Sequence, residues 1–420
     1  MRQMKDSGIE WIGEIPQAWD VRKGKYLFAQ RNERGNNVKL QLLSPTQNYG
    51  VIPQDEYERL SGMSAVKLNE NINLKALKTI HKGDYCISLR SFQGGFEYSM
   101  NEGVISPAYQ VFYPTVKISG GYYKYLFKDK GFISVINSYA MSLRDGKNIS
   151  FEQFGNTVIP VPPLAEQERI AGFLDAKCAE VDALAGEIKE QIATLEEYKR
   201  SVITEAVTKG LDASVPMKNS GIEWIGEIPQ AWDLRKGKYV LQYLQKPVRI
   251  DDEVITCFRD GQVTLRGNRR EDGFTMADKE IGYQGIDEGD LVVHGMDGFA
   301  GAIGISDCRG KASPVLNVLD TRQNKRYVMF YLRSLAYRDV FLALSTGIRV
   351  RSCDLRWNKL AELFYLIPPL AEQEQIVAKI DEMLAKVDAL IAEKQNQLAT
   401  LEEYKKSVIF EYVTGKKEVV

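Results

Sequence analysis

The sequence predicts two mixed α/β domains separated by a pair of long antiparallel helices, arranged as an internal pseudo-twofold repeat of order A–B–A′–B′. Three observations predict this fold class. The heptapeptide Pro-Pro-Leu-Ala-Glu-Gln-Glu occurs at 162–168 and again at 368–374. Each copy opens a stretch with an apolar residue at every seventh position. A 22-residue segment, 5–26, returns at 218–239 with 20 identical positions. Two copies this similar inside one chain indicate a duplicated unit.

These repeats divide the 420 residues into five predicted segments. The length and apolar content are sufficient for several domains with sizeable cores. The segments are a first α/β domain (1–157), a first long helix (158–210), a short exposed linker (211–217), a second α/β domain (218–363) and a second long helix (364–420).

The long helices are predicted from heptad spacing. The first stripe consists of Leu174, Val181, Ile188, Leu195 and Val202, with Leu184 and Tyr198 three positions after two of its members. The second stripe consists of Ile380, Val387, Leu401 and Val408, flanked by Leu390 and Tyr404 and interrupted by Lys394. This spacing indicates helices that bury one stripe along a coiled-coil seam. A helix from about 164 to 208 would be about 65 Å long, which exceeds an ordinary core helix.

The ends of these helices also carry signals. The proline pair before each helix supplies a preset φ, and Glu166 and Glu372 place negative charge at the positive end of the helix dipole. Gly210 and Gly415 follow the two stripes and are expected to act as C-caps.

The two α/β domains share little sequence outside the 22-residue repeat. Both contain a Gly-Asp before an apolar run, at Gly83 and at Gly289, and a Ser-Pro before a later strand-like run. Short strands are predicted near 255–258 and 262–265, and helices near 122–136 and 326–344. Each domain is therefore expected to be a compact mixture of short strands and helices.

Charge separates the domains from the helices. Residues 1–160 carry 20 basic and 15 acidic side chains, a net +5, whereas residues 161–217 carry 6 and 11, a net −5. The second domain and second helix repeat this asymmetry at +2 and −3. The whole-chain net charge of −1 hides two positive domains, a distribution that suits nucleic-acid binding.

Composition predicts the compartment. No run of eighteen apolar residues exists, and the first residues lack the apolar segment of a signal peptide. The five cysteines are odd in number, scattered, and never in a Cys-x-x-Cys pair. We therefore expect a cytoplasmic protein with no membrane span, no disulfide framework and no zinc site.

No catalytic grouping stands out. The sequence lacks a Walker phosphate loop, a Gly-x-Gly-x-x-Gly turn and the Asn/Asp-Pro-Pro-aromatic motif of amino-methyltransferases. His81 and His294 are the only histidines, one in each domain. Gly301-Ala302-Ile303-Gly304 is better explained as a tight turn between strands than as a cofactor turn. The chain is expected to be non-catalytic, with no metal and no cofactor of its own.

Positive side chains interleaved with amides and glycines form the candidate site. Arginine forks suit guanine O6 and N7, asparagine and glutamine suit adenine, and lysine suits phosphates. The predicted DNA contacts are Arg90, Gln93, Arg144, Lys147, Asn148, Arg259, Arg266, Asn268, Arg269, Arg270, His294, Arg349, Arg351 and Lys359. For any one of them a solvated surface loop is an equally good explanation, and His294 also suits a core or surface position. Their recurrence before each long helix favours a common role.

The chain resembles the specificity subunit of type I restriction–modification enzymes. The resemblance lies in the doubled Gly-Ile-Glu-Trp-Ile-Gly-Glu-Ile-Pro-x-x-Trp, the doubled Pro-Pro-Leu-Ala-Glu-Gln-Glu and the doubled Ala-Thr-Leu-Glu-Glu-Tyr-Lys at 193–199 and 399–405. Segments 258–263 and 289–294 of the second domain are also similar. The match covers essentially the whole chain, and the motifs occur in the A–B–A′–B′ order.

This resemblance implies that the α/β domains are target-recognition domains, each reading one half of a split sequence in double-stranded DNA with a fixed-length gap. It implies docking of two methyltransferase (modification) subunits on the repeated regions and of restriction/translocase subunits for cleavage. S-adenosylmethionine, ATP and Mg would belong to those partners. Two alternatives of other classes remain: a coiled-coil scaffold whose globular heads bind proteins, and an enzyme whose site matches no known motif.

Overall fold

The computed structural model describes residues 2–35, 40–63, 76–87, 95–140, 149–269, 280–344 and 355–419. The chain forms two compact units. Unit 1 comprises Met1–Ile188 and Asn396–Val420, and unit 2 comprises Lys189–Gln395. These units cut across the five predicted segments, because each unit takes part of both long helices.

The predicted long helices are present. Within the described ranges the helices are α1 (Gln54–Ser61), α2 (Gly120–Leu126), α3 (Lys130–Ala140), α4 (Phe151–Asn156), α5 (Leu164–Lys209), α6 (Lys325–Tyr337), α7 (Val340–Ala343), α8 (Trp357–Glu362) and α9 (Leu370–Val413). The 46-residue α5 and the 44-residue α9 confirm the heptad prediction. The α2–α3 and α6–α7 pairs confirm the helical patterns predicted near 122–136 and 326–344. No helix of the described residues is long and apolar enough to cross a membrane.

Unit 1 is built on short antiparallel strands. They are β1 (Met4–Ile9), β2 (Gly13–Pro16), β3 (Asp20–Lys23), β4 (Phe28–Arg31), β5 (Leu43–Thr46), β6 (Gly50–Pro53), β7 (Lys78–Ile80), β8 (Tyr85–Ile87), β9 (Phe96–Tyr98), β10 (Gly103–Ile105), β11 (Gln110–Pro114) and β12 (Val158–Val161). A four-stranded sheet has the order β4-β11-β8-β9, and two-stranded pairs join β1 to β2, β3 to β12, β5 to β6 and β7 to β10.

Unit 2 repeats this topology strand for strand. Its strands are β13 (Met217–Asn219), β14 (Glu227–Pro229), β15 (Asp233–Lys236), β16 (Leu241–Leu244), β17 (Ile255–Cys257), β18 (Val263–Leu265), β19 (Gln284–Ile286), β20 (Leu291–His294), β21 (Ile303–Ile305), β22 (Gly310–Ala312), β23 (Leu316–Thr321) and β24 (Phe364–Ile367). The four-stranded sheet is β16-β23-β20-β21, and the two-stranded pairs are β13-β14, β15-β24, β17-β18 and β19-β22. Two domains with little sequence in common therefore share one fold, as the duplication predicts.

Both long helices contribute to the core of each unit. In unit 1, Ile170 and Leu174 of α5 and Val408 of α9 belong to a cluster that also contains the buried Phe28 and Tyr85. Phe28 meets Tyr85 edge to face, with ring centroids 5.7 Å apart. Burying an aromatic ring or a branched side chain removes a large apolar area from water, which holds the helices on the α/β domain.

The same arrangement recurs in unit 2. Ile203 and Val207 of α5 and Ile376 and Ile380 of α9 belong to one cluster with the buried helix α6. The helices run antiparallel within each unit. In unit 1 Phe173 stacks near Tyr412 while Lys405 pairs with Asp182 at 2.6 Å. In unit 2 Lys199 lies 2.6 Å from Asp388.

The stripe positions are confirmed, but their +3 neighbours are not part of the seam. Six of the nine stripe residues are buried, namely Leu174, Val181, Ile188, Ile380, Val387 and Val408, and the other three, Leu195, Val202 and Leu401, are half-buried. Leu184, Tyr198, Leu390 and Tyr404 are each about 45% exposed. The second row of the seam lies four positions after the stripe instead, where Cys178 of α5 and Ile391 of α9 are buried, so the side chains at +3 stay in contact with water.

The predicted helical segments begin too early. Residues 158–161 and 364–367 were assigned to the long helices, whereas they form β12 and β24, which pair with β3 and β15. These stretches are rich in β-branched and aromatic residues, which favour a strand, and the proline pair that follows marks the true helix start. At the other end, Gly210 follows α5 with φ +79° and Gly415 follows α9 with φ +72°, as expected of C-caps.

The two repeated motifs contact each other. In unit 1 the buried Trp19 of the 22-residue repeat donates its indole Nε1–H to Glu166 of the heptapeptide at 2.9 Å. In unit 2 Trp232 donates to Glu372 at 3.0 Å. Each repeat therefore fastens its α/β domain to the first turn of the helix that follows that domain.

Each unit also holds the end of the other helix. The Tyr122 hydroxyl donates to the carbonyl of Val413 at the end of α9 in unit 1. The Tyr327 hydroxyl donates to the carbonyl of Val207 near the end of α5 in unit 2. Carbonyls in the last turn of a helix lack a helical partner, so these phenols satisfy groups that would otherwise need water.

Candidate nucleic-acid interface

Six of the fourteen predicted DNA contacts fall on described residues, and all six belong to unit 2. The other eight lie outside the described residues: Arg90, Gln93, Arg144, Lys147, Asn148, Arg270, Arg349 and Arg351. The site can therefore be built from Arg259, Arg266, Asn268, Arg269, His294 and Lys359.

Two loops of unit 2 come together to form the candidate site. One is the turn of the β17–β18 hairpin, 258–262, and the other follows β20 from His294 to Ala302. Their backbones are in close contact, because a Cβ built on Gly301 would lie 2.7 Å from the Arg259 carbonyl oxygen. We call Arg259, Asp260, Arg269, His294 and Asp297 the arginine face.

Arg259 is the most exposed member of the arginine face. Its side chain is 67% accessible, and its Nη2 donates to Asp297 Oδ1 at 2.8 Å. A guanidinium has five N–H donors in a planar fork, so this one bond leaves most of the fork available to a ligand. The carboxylate fixes the direction of an otherwise flexible side chain.

Arg269 is held in a similar way. Its Nη1 donates to Asp260 Oδ2 at 2.6 Å, and its guanidinium lies 4.3 Å from the centroid of the Phe258 ring. Asp260 in turn accepts from the backbone N–H of Gln262 at 3.1 Å. An ion pair on one side and an aromatic face on the other restrict the arginine to a narrow range of orientations.

His294 is positioned by backbone donors. Its Nδ1 accepts from the N–H of Asp297 at 2.9 Å and of Met296 at 3.2 Å. Two donors on Nδ1 require that atom to be unprotonated, so the neutral ring carries its hydrogen on Nε2. Burial lowers the pKa of His294 below its ordinary value, which reinforces the neutral form.

Three predicted contacts are placed less favourably. Arg266 Nε donates to Thr256 Oγ1 at 3.3 Å, and Asn268 Nδ2 donates to Thr264 Oγ1 at 2.9 Å, so both side chains bind back onto the hairpin that bears them. Lys359 lies on α8 beside the 3-10 turn Gly237–Tyr239. No hydrogen bond or ion pair within the described ranges joins Lys359 to the arginine face.

The arginine face occupies one end of the four-stranded sheet of unit 2. His294 pairs with Leu316 at the start of β23, whereas Leu241 pairs with Thr321 at its end. The repeated segment that precedes β16 therefore lies at the end of the sheet opposite His294. In this unit the 22-residue repeat supports the start of α9, and loops outside that repeat form the arginine face.

Asp260 and Asp297 are absent from the predicted site, although they orient two of its arginines. A signal was present, since each acid lies in the same short loop as a predicted contact. Among the described residues no group of three or more His, Cys, Asp or Glu side chains is arranged to hold a metal ion.

Comparison with known proteins bears on this arrangement. A family model described as "Type I restriction modification DNA specificity domain" matches residues 12–194. The StySPI specificity subunit of Salmonella potsdam is 23% identical over 318 residues, which cover 72% of this chain and 66% of that protein. The EcoBI specificity subunit of Escherichia coli is 23% identical over 319 residues, 68% of this chain and 63% of that protein. The chain is therefore similar to type I restriction–modification specificity subunits, and residues 12–194 match the family model of their DNA specificity domain.

The chain spans 66% and 63% of the lengths of these two curated relatives. It aligns over nearly its whole length with a chain from a solved structure. That structure is described as "structural basis underlying complex assembly and conformational transition of the type I R-M system". The TM-score is 0.69 at 15% identity, over 96% of this chain and 99% of the other. The likeness shows a common fold, with two mixed α/β domains linked by long helices.

Proposed function

We propose that this chain is the DNA-recognition subunit of a type I restriction–modification complex, without catalysis of its own. Each α/β domain would read one half of a bipartite target in double-stranded DNA, and the two halves would be separated by a gap of fixed length. The observation that supports this most directly is the arginine face of unit 2. There, two arginines and a neutral histidine from separate loops converge at one end of the sheet.

The division between repeated and differing sequence agrees with this role. Two domains with one topology and different loops suit a protein that reads two different half-sequences with one scaffold. The loops of unit 2 present the side chains that best match base edges, since arginine forks suit guanine and imidazole N–H groups suit base acceptors. At the first turn of each long helix, the contact with the α/β domain uses repeated residues instead, Trp19 with Glu166 and Trp232 with Glu372.

The exposed apolar residues of the long helices support docking of two identical partners. Unit 1 exposes Leu184 and Tyr404, and unit 2 exposes Leu390 and Tyr198. The same two residue types thus occur once in each unit, beside the helix–helix ion pairs of Asp182 and Asp388. We propose that each unit binds one methyltransferase subunit through this pair. Restriction/translocase subunits would join for cleavage.

The chemistry would reside in the partners. S-adenosylmethionine would bind the methyltransferase subunits, and ATP and Mg the translocase subunits. Since the substrate is the DNA of the cell or of an invader, the proposed complex acts in the cytoplasm. The role of this chain is to place a chosen base pair before the methyltransferase.

DNA selection tests the proposal. The full chain, co-expressed with the methyltransferase subunit of its own system, is offered a library of random duplexes at several salt concentrations. We expect enrichment of a sequence in two parts, with log affinity falling linearly as log salt rises. A protein-binding scaffold would enrich no DNA sequence. Methyl transfer to DNA by the isolated chain with S-adenosylmethionine would show instead that the chain is an enzyme.

A further inference from the structure

We infer that Arg259 and Asp297 act together as a reader of one G·C base pair, with Arg259 donating to guanine and Asp297 accepting from cytosine. This inference rests on the proposed function and deepens it. Asp297 would have two roles: it orients the Arg259 side chain, and it contacts a base directly.

The pair is held on a fixed backbone. The Asp297 N–H donates to His294 Nδ1, and the Asp297 carbonyl accepts from the N–H of Ala300 at 2.9 Å and of Ala302 at 3.2 Å. These bonds fix the main chain on both sides of the carboxylate. Because the carboxylate then holds Arg259 Nη2, the guanidinium is oriented before any ligand arrives, which lowers the entropy cost of binding.

Both members keep capacity for a ligand. Arg259 uses one of its five N–H groups on Asp297. The other oxygen of Asp297, Oδ2, lies 3.9 Å from His294 Nε2, too far for a hydrogen bond, and the side chain is 39% exposed. The pair therefore presents several donors beside one acceptor.

The charge of the pair argues against a phosphate ligand. Arg259 and Asp297 sum to zero, and a phosphate that approached the arginine would be repelled by the neighbouring carboxylate. A base edge has no net charge, so the carboxylate does not oppose it. Phosphate contacts normally come from cations that are not neutralised in this way.

The arrangement of donors and acceptors selects among base pairs. In the major groove, G·C presents two adjacent acceptors, guanine O6 and N7, followed by the N4 amino donor of cytosine. A·T presents an acceptor, a donor and an acceptor in alternation, which offers an arginine fork no adjacent pair. A guanidinium fork beside a carboxylate, as in Arg259 and Asp297, is complementary to the acceptor–acceptor–donor pattern of G·C.

The test measures base preference position by position. The full chain with its methyltransferase subunit is bound to the selected target and to all single-base-pair variants of it, for the wild type, Arg259→Ala and Asp297→Asn. The matched control is Asp233→Asn. Asp233 holds Arg235 at 2.7 Å in the same unit, but it lies in the repeated segment, on β15, which pairs with β24 and not with the four-stranded sheet.

We expect Arg259→Ala to reduce the preference for G·C at one position by about 5- to 150-fold, the discrimination of one good bidentate contact. Asp297→Asn should reduce preference at that same position, and the other half-sequence should keep its full preference in both variants. The preserved half shows that the protein is folded. Asp233→Asn should leave every position unchanged.

Two results would overturn the inference while the proposed function stands. One is an Asp297→Asn profile identical to that of the wild type. The other is a uniform loss of affinity for all sequences in Arg259→Ala, which indicates a phosphate contact. If the wild-type complex selects no sequence, the proposed function fails and this inference fails with it.

Discussion

The contact between the two repeated motifs predicts unequal effects from equal substitutions. Glu166 accepts from Trp19 and also binds Arg2, whose Nη2 lies 2.8 Å from Oε2 and whose Nη1 lies 2.6 Å from Oε1. Glu372 accepts from Trp232 alone, and within the described ranges no cation lies at ion-pair distance from it. Glu166→Gln should therefore destabilise its helix start more than Glu372→Gln destabilises the equivalent one.

The magnitude follows from burial and partners. The Glu166 side chain is 11% exposed and that of Arg2 is 23% exposed, so the ion pair is screened only in part. Replacing one member of such a pair leaves a half-buried cation unmatched, at a cost of about 2–3 kcal/mol after allowance for solvent. Gln at position 372 still accepts a hydrogen bond from Trp232, but the acceptor is then neutral instead of charged. The expected loss of stability is about 0.5–1 kcal/mol.

Hydrogen exchange followed by mass spectrometry measures both sites in one protein. Peptides that cover the first turns of α5 and α9 report the local opening free energy of each helix start. A difference of at least about 1 kcal/mol corresponds to about fivefold in the exchange rate. In an Arg2→Ala background, Glu166→Gln should cost no more than Glu372→Gln. Equal effects in the wild-type background would refute the role assigned to Arg2.

Three further predictions concern the hairpin, the helices and a buried acid. Arg269→Ala should cost about 1–3 kcal/mol of binding free energy if Arg269 makes a bidentate contact with a guanine. Arg266→Ala should cost less, because the Arg266 side chain already binds its own hairpin. Filter binding to the selected duplex measures both affinities. Inserting Ala-Thr-Leu-Glu after Glu196 lengthens α5 by about 6 Å and turns its end by about 40°. Methylome sequencing should then show a gap longer by one or two base pairs, with both half-sequences unchanged. An unaltered gap in an active complex would mean that the helices do not set the distance between the half-sequences. Burial raises the pKa of Glu97 above its ordinary 4.5. Because the folded state then binds the proton more tightly than the unfolded state, protonation stabilises the fold, and this contribution is lost as pH rises through the folded-state pKa. Glu97→Gln also removes the ion pair with Lys128 at 2.6 Å, which destabilises the variant at every pH at which that pair is formed. The pKa direction predicts how the difference changes with pH: the unfolding free energy of the variant relative to the wild type should rise between about pH 4 and pH 7 in urea titrations, and a relative fall over that range would contradict it.

The sequence was sufficient to predict the features that depend on local periodicity. Heptad spacing located α5 and α9 closely, and the duplicated segments predicted two domains of one topology. The helix expected from about 164 to 208 agrees with α5, but the segment boundaries at 158 and 364 lie too early. They include Val158–Val161 and Phe364–Ile367, whose apolar composition suits a buried helix as well as a strand. Their pairing with β3 and β15 is a long-range contact that periodicity does not report.

The contacts that hold the site together could not be predicted in the same way. Trp19 and Glu166 are 147 residues apart, and nothing in either motif identifies the other as its partner. In the arginine face, composition pointed to Arg259, Arg269 and His294, because base-reading residue types are few. Composition placed Asp297 in the same short loop as His294, but it did not show that this carboxylate holds Arg259, which lies 38 residues earlier in the chain.

The central claim is that each α/β domain reads its own half of the target. To test it, residues 240–363 are replaced with the equivalent block of a related specificity subunit, in cells that express the methyltransferase subunit, and the methylated bases of the genome are sequenced. The account predicts that one half of the methylated sequence changes to that of the donor, while the other half and the gap stay as they were. A methylated sequence in which both halves change would contradict it.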